Sequence, residues 1–248
     1  MCKAASSRTL DCKKQHISKQ EPQSMAMLSN QDLIRRVPLF ANLTQEQIDD
    51  LAANVTKRKI KKGEDVVRQG HNSNALFLIL SGRSHVVMTD SKGKEVILAT
   101  LKAGDYIGEM SLIDNEAHSA TVQAETQMDV LVLGRDDFTR CVSNNAAIAG
   151  AVMRGLVQRL RTADQKIVSL ALMGVYGRVA NVLLDMAEPI DKGEMLIREK
   201  VSRSDLSKMV GASREMVSRV MKDFEDQGFI KTNNDGGIRV WERRSKPR

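Results

Sequence analysis

Between Val201 and Lys231 the chain reads VSRSDLSKMVGASREMVSRVMKDFEDQGFIK, and this stretch constrains the fold more tightly than any other. Ser202, with Asp205 following at capping-box spacing, opens a first helix. Leu206, Met209 and Val210 give that helix an apolar face. Gly211-Ala212 is a turn too short to separate two helices, and Ser213 is a good N-cap for the second. In that second helix Val217, Val220, Met221 and Phe224 share one face, while Arg214, Glu215, Ser218, Arg219 and Lys222 lie largely on the other. Gly228 sits where a glycine ends such a helix.

This is the helix-turn-helix pattern, whose second helix enters the major groove with its N-terminal residues toward the bases. Arg214 and Arg219 suit a bidentate pair with guanine, and Glu215 can accept from the cytosine amino group. Lys208 and Lys222 are placed to meet phosphates. Ser202, Ser213 and Ser218 complete the candidate DNA-binding set. A three-helix packing module with a solvated charged face is the other reading, since Glu215 and Arg219 also form an ordinary i,i+4 pair.

A net charge of +7 suits a polyanionic partner. Aromatic residues make up 3%, too few for a platform that stacks single-stranded bases. Cys2, Cys12 and Cys141 are scattered thiols without a disulfide framework or metal spacing, and His16, His71, His85 and His118 show no ligand spacing either. No apolar run approaches a membrane span and no signal-peptide core opens the chain, so a cytoplasmic location is expected.

The 248 residues leave room for more than one domain. Residues 1–28 read as a polar, basic, disordered tail. Ser29 to Ala53 is helical with a break at Pro38, and Thr44 is a natural N-cap within it. From Val55 to Leu133 the period becomes that of strands, punctuated by Gly63, Gly70, Gly82, Gly93 and Gly104, as in an antiparallel β-roll. Asp136 opens a helical region reaching about Leu170. Its Met153, Leu156, Leu160, Ala163, Ile167 and Leu170 repeat as a short parallel coiled-coil seam. In that register Arg159 at g and Asp164 at e form a salt bridge between two chains, and a homodimer follows. Burial of the seam inside one subunit is the alternative. Val175 to Ala187 reads as a further helix, and Phe229 to Trp241 as a β-hairpin wing. The fold class is α+β, divided as a tail (1–28), a β-roll (29–135), a dimerisation helix (136–170) and a winged helix-turn-helix (171–248).

That order of parts resembles the Crp–Fnr family of bacterial transcription regulators over most of the chain, from about Gln31 to Trp241. Two motifs carry the resemblance: GASREMVSR (Gly211 to Arg219), similar to the family's recognition-helix start, and GEMSLIDNEAHSA (Gly108 to Ala120), similar to its phosphate-binding cassette. The resemblance implies Arg214, Glu215 and Arg219 as base readers on a two-fold symmetric site with TGTGA-like halves. RNA polymerase is implied as a partner. It also implies a cyclic nucleotide held by Gly108, Glu109, Met110, Ser111, His118, Ser119 and Ala120, with Arg159, Ala163 and Asp164 from the long helix. The cassette makes sense by itself. Gly108 lets the backbone approach an anion, a helix starting near Glu109 offers free N–H groups, and Glu109 can accept from a ribose hydroxyl. A β-roll turn with an ordinary exposed Glu is the plainer alternative.

Two departures bear on the effector. His118 stands where cAMP-binding members carry an Arg, so a charge-assisted bidentate contact is lost. Ala163 and Asp164 replace the Thr–Ser pair that meets adenine, and an acceptor-only Asp suits the donors of guanine. With Arg154, Arg159 and Arg161 nearby, these changes lean toward cyclic di-GMP over cAMP. The interchain salt bridge explains Asp164 equally well. A ligand-independent regulator using the β-roll as a scaffold is the remaining alternative. No cysteine set for an iron–sulfur cluster is present, and neither a metal cluster nor a Walker loop supports an enzyme.

Overall fold

A computed structural model describes residues 28–191, 193–233 and 235–241. The expected basic tail, Leu28 excepted, and Asn234 of the wing lie outside the described residues, as do Cys2, Cys12 and His16.

The chain opens with α1 (Asn30–Arg35), a 3₁₀ turn at Pro38–Phe40 and α2 (Gln45–Asn54). Thr44 caps α2 with a reciprocal Gln47 box, and the break at Pro38 falls where expected. Eight strands follow. Strands β1 (Thr56–Ile60), β8 (Met128–Gly134), β3 (Ala75–Ser81) and β6 (Tyr106–Ile107) form one antiparallel sheet in that order. Strands β2 (Asp65–Val67), β7 (Thr121–Ala124), β4 (Arg83–Thr89) and β5 (Glu95–Lys102) form the other.

Side-chain alternation along β3 builds two cores. Phe77 and Ile79 face the space between the sheets, with Ile60, Val122 and Val130. Leu76 and Leu78 face outward and are covered by Leu33, Phe40, Ile48, Phe138 and Ile148 from the helices. Each such fully buried side chain contributes about 1.5–3 kcal/mol. A one-turn helix, α3 (Glu109–Asp114), bridges β6 and β7.

The helical region after the roll is two helices, α4 (Arg135–Asn144) and α5 (Ala146–Leu172). Asn145 makes the break. Its side-chain oxygen accepts from the amides of Ala147 at 2.9 Å and Ile148 at 3.3 Å, which caps α5. Ile148 and Val152 anchor α5 on the roll, whereas Met153, Leu160, Ile167 and Leu170 of the apolar seam are exposed. Of the seam, Leu156 packs against the roll core within the subunit, and these four residues are left uncovered.

The C-terminal part comprises α6 (Val175–Met186), β9 (Glu188–Asp191), β10 (Glu194–Ile197), α7 (Arg203–Val210), α8 (Arg214–Asp226), β11 (Ile230–Thr232) and β12 (Ile238–Trp241). Its sheet runs β11-β12-β10-β9, so the wing is larger than the expected single hairpin. Pro189 lies in the edge strand β9, where a missing N–H breaks no ladder. Val179, Leu183, Leu206, Val210, Val217, Val220 and Met221 form the core under this sheet.

Candidate functional site

A cavity of about 210 Å³ opens beside α3, and its apolar walls include Val86 and Leu101 of the β4–β5 hairpin, Val122 and Ile107. Its polar lining is the predicted cassette: Gly108, Glu109, Met110, Ser111, His118, Ser119 and Ala120, joined by Arg159 from α5. Gly108 takes φ +98° at the start of α3, and a Cβ there would lie 2.7 Å from the Ala75 carbonyl oxygen. Only glycine fits that approach. At the other end of α3, Arg135 donates to the carbonyls of Leu112 at 3.0 Å and Ser111 at 3.1 Å, satisfying the last turn.

Glu109 is 1% exposed. Its Oε1 pairs with the Arg159 guanidinium, which also donates to the Tyr106 carbonyl at 2.6 Å and lies 5.0 Å over the Tyr106 ring. Gly155 permits this packing, because a side chain there would strike the Tyr106 hydroxyl. Burial pushes the Glu109 carboxyl above the usual carboxylate range, and Arg159 opposes that shift. Glu109 lines the cavity, and its Oε2 is buried without a hydrogen-bond partner. An orphaned acceptor in such a place costs free energy until a donor reaches it.

His118 is 8% exposed, and its Nε2 lies 2.8 Å from Ser73 Oγ. Burial holds the imidazole below its usual pKa, so it is uncharged at neutral pH. Asp114 and Glu116 also line the cavity, so Arg159 is its one permanent cation among the described residues.

Ala163 and Asp164 are not brought to this cavity. Both are exposed farther along α5; Arg161, between Arg159 and Ala163, and Arg154, before Arg159, are exposed as well. Arg159 reaches the cavity, as the resemblance implies, but departs from the expected interchain pairing. It turns into its own roll, where a buried carboxylate needs a counter-charge, instead of standing ready for an interchain bridge with Asp164. Ser73, Tyr106 and Gly155 escaped the sequence reading. Tyr106, two residues before Gly108, and a glycine inside an otherwise apolar helical seam were the available signals.

The helix-turn-helix forms as expected. Ser202 Oγ accepts from the Asp205 amide at 3.0 Å, Ser213 Oγ accepts from the Met216 amide at 3.2 Å, and Gly211 takes φ +68° between the helices. The face of α8 that bears Arg214, Glu215, Ser218, Arg219 and Lys222 is open to solvent. The amide hydrogen bond within Glu215 and then the Ser213 hydroxyl hold the Glu215 carboxyl below its usual range, keeping it an acceptor. Lys208 differs from the phosphate role expected for it. Its ammonium lies 2.6 Å from Glu95 of β5.

Residues 57–145 match the cyclic nucleotide-binding domain, and residues 177–244 match the Crp-like helix-turn-helix domain. The cAMP-activated global transcriptional regulator Vfr of Pseudomonas aeruginosa is 30% identical over 191 residues, 75% of this chain and 89% of that protein. The cAMP-activated global transcriptional regulator CRP of Salmonella typhimurium is 33% identical over 168 residues, 66% of this chain and 80% of that protein. The chain belongs to the Crp–Fnr family. Among solved structures, the c-di-GMP responsive global regulator CLP of Xanthomonas campestris superposes with a TM-score of 0.70 at 23% identity. That match covers 81% of this chain and 100% of CLP, and it speaks to fold alone. This Crp–Fnr protein is thus a DNA-binding transcription regulator with a cyclic nucleotide-binding domain, in a family of regulators and not of enzymes. No helix among its described residues is long and apolar enough to cross a membrane.

Proposed function

We propose that the protein is a homodimeric regulator whose DNA affinity is set by a cyclic mononucleotide, cAMP foremost, bound in the β-roll cavity. The observation that carries this reading is Glu109, a cavity-lining residue whose Oε2 is buried without a hydrogen-bond partner and so suits a ribose hydroxyl donor. Ser119 and the backbone at Ala120 serve the phosphate, with neutral His118 beside them. A cavity of about 210 Å³ is better matched to a mononucleotide than to a dinucleotide twice its size. The relatives Vfr and CRP are cAMP-activated by name.

The exposed seam of α5 supports pairing with a second copy, because an apolar stripe of that length is otherwise left in water. A dimer sets two α8 helices toward half-sites about 34 Å apart on a TGTGA-like two-fold site. Arg214, Glu215 and Arg219 read bases, while Ser202, Ser213, Ser218 and Lys222 serve the sugar–phosphate backbone. RNA polymerase is the further partner if the regulator activates from its site. Ligand binding shifts the population toward the DNA-competent arrangement.

Calorimetric titration with cAMP and, in parallel, cyclic di-GMP tests the assignment. Saturation by cAMP, weakened at least about ten-fold in Glu109→Gln by loss of a charge-assisted hydrogen bond, is expected. Binding of cyclic di-GMP alone would move the site toward Asp164, Arg154 and Arg161. Silence from both favours a ligand-independent regulator, a reading with one observation behind it: Arg159 already neutralises Glu109.

A further inference from the structure

The β4–β5 hairpin works in two directions. Val86 and Leu101 line the cavity. Other residues of the same hairpin hold the rest of the chain. Glu95 pairs with Lys208 of α7 at 2.6 Å, the Ile97 carbonyl accepts from Lys166 of α5 at 3.3 Å, and Arg83 pairs with Glu199 just before α7. Arg83 is fixed in turn by Glu125 at 3.0 Å. The strand register slips between Val86 and Val87, so a bulge separates the cavity wall from the Glu95 end.

Lys208 is the informative member. It lies in the last turn of α7, the first helix of the helix-turn-helix, and in that motif the first helix crosses the DNA backbone. A phosphate and the Glu95 carboxylate both seek this ammonium, and they repel each other. We infer that Glu95 occupies Lys208 in place of a DNA phosphate, so that this pair, seconded by Arg83–Glu199, restrains DNA binding until the hairpin releases α7. The inference rests on the DNA-binding reading of α7 and α8.

The test uses the full chain and a fluorescent mixed-sequence duplex at fixed salt, read by anisotropy. Glu95→Gln tightens binding about two- to five-fold, the worth of an exposed ion pair. Glu46→Gln, in the first turn of α2 away from this seam, controls for the change in net charge. The gain vanishes when Lys208→Ala is already present. A second readout needs no DNA: Lys208 acetylates faster with acetic anhydride in Glu95→Gln than in the parent protein, as followed by mass spectrometry. Unchanged acetylation, a gain no larger than that of Glu46→Gln, or an equal gain without Lys208 overturns the inference alone. A parent protein that binds no duplex, at low salt and with any effector, overturns the DNA-binding reading and the inference with it.

Discussion

The cavity of the β-roll and the outer face of α8 both offer polar groups to a ligand, yet they treat water in opposite ways. Glu109 is 1% exposed and His118 8%, each locked to a neighbour from another element, Arg159 and Ser73. On α8 the charged residues stand in solvent above Val217, Val220 and Met221, which are fully buried. A small ligand must be stripped of water, so its site takes charges out of water too and needs them paired. A polyanion is met by solvated cations that release its counterions, and these need no mutual support. Function and stability are therefore coupled in the roll and separable on α8.

The largest test of that contrast is Arg159→Ala. It leaves the Glu109 carboxylate buried without its partner and costs about 2 kcal/mol of stability at neutral pH, less than a fully buried pair because Arg159 is 38% exposed. The loss shrinks as pH falls and Glu109 becomes protonated, which urea unfolding at two pH values measures. An equal loss at both would break the coupling. Next, Arg214→Ala and Arg219→Ala each cost about 1–3 kcal/mol in specific DNA binding and spare nonspecific binding, with stability unchanged within about 0.5 kcal/mol. Gel shifts and thermal melts together check this, and a large melting shift would contradict the separation.

Ser213→Ala removes the α8 cap and lowers stability by about 1 kcal/mol, an intermediate case in which a candidate DNA-contacting residue also supports its helix. The smallest effect concerns pH. Because burial raises the Glu109 pKa above its unfolded value, this group favours the folded state at low pH. That contribution disappears as pH rises through the folded pKa. Glu109→Gln removes this slope, so the difference between variant and parent melting temperatures changes between pH 4 and pH 7. A constant difference would show that burial does not govern this carboxyl.

What could be read from the sequence was local. Ser202, Ser213 and Gly211 mark helix ends through nearest-neighbour chemistry, and the glycine spacing announced the roll. The cassette was visible through its resemblance to the family motif, and its Gly108 answers to a positive φ and the nearby Ala75 carbonyl. The missed features join distant positions. Arg159 reaches Glu109 across 50 residues, and Lys208 reaches Glu95 from a different sheet-and-helix unit. Heptad position set Arg159 toward a partner chain and the family resemblance set it at the cavity; its pairing with Glu109, which an otherwise unpaired buried carboxylate demands, was in neither expectation. Asp164 illustrates the converse. Its type suited guanine, but type says nothing of distance from a cavity that the chain closes at Arg159.

The decisive measurement is the affinity of the full chain for a duplex with two TGTGA-like half-sites, determined with and without saturating cAMP. Tighter binding with cAMP, lost in Glu109→Gln, is the predicted result. Equal affinity in the presence and absence of cAMP would contradict ligand control through the cavity.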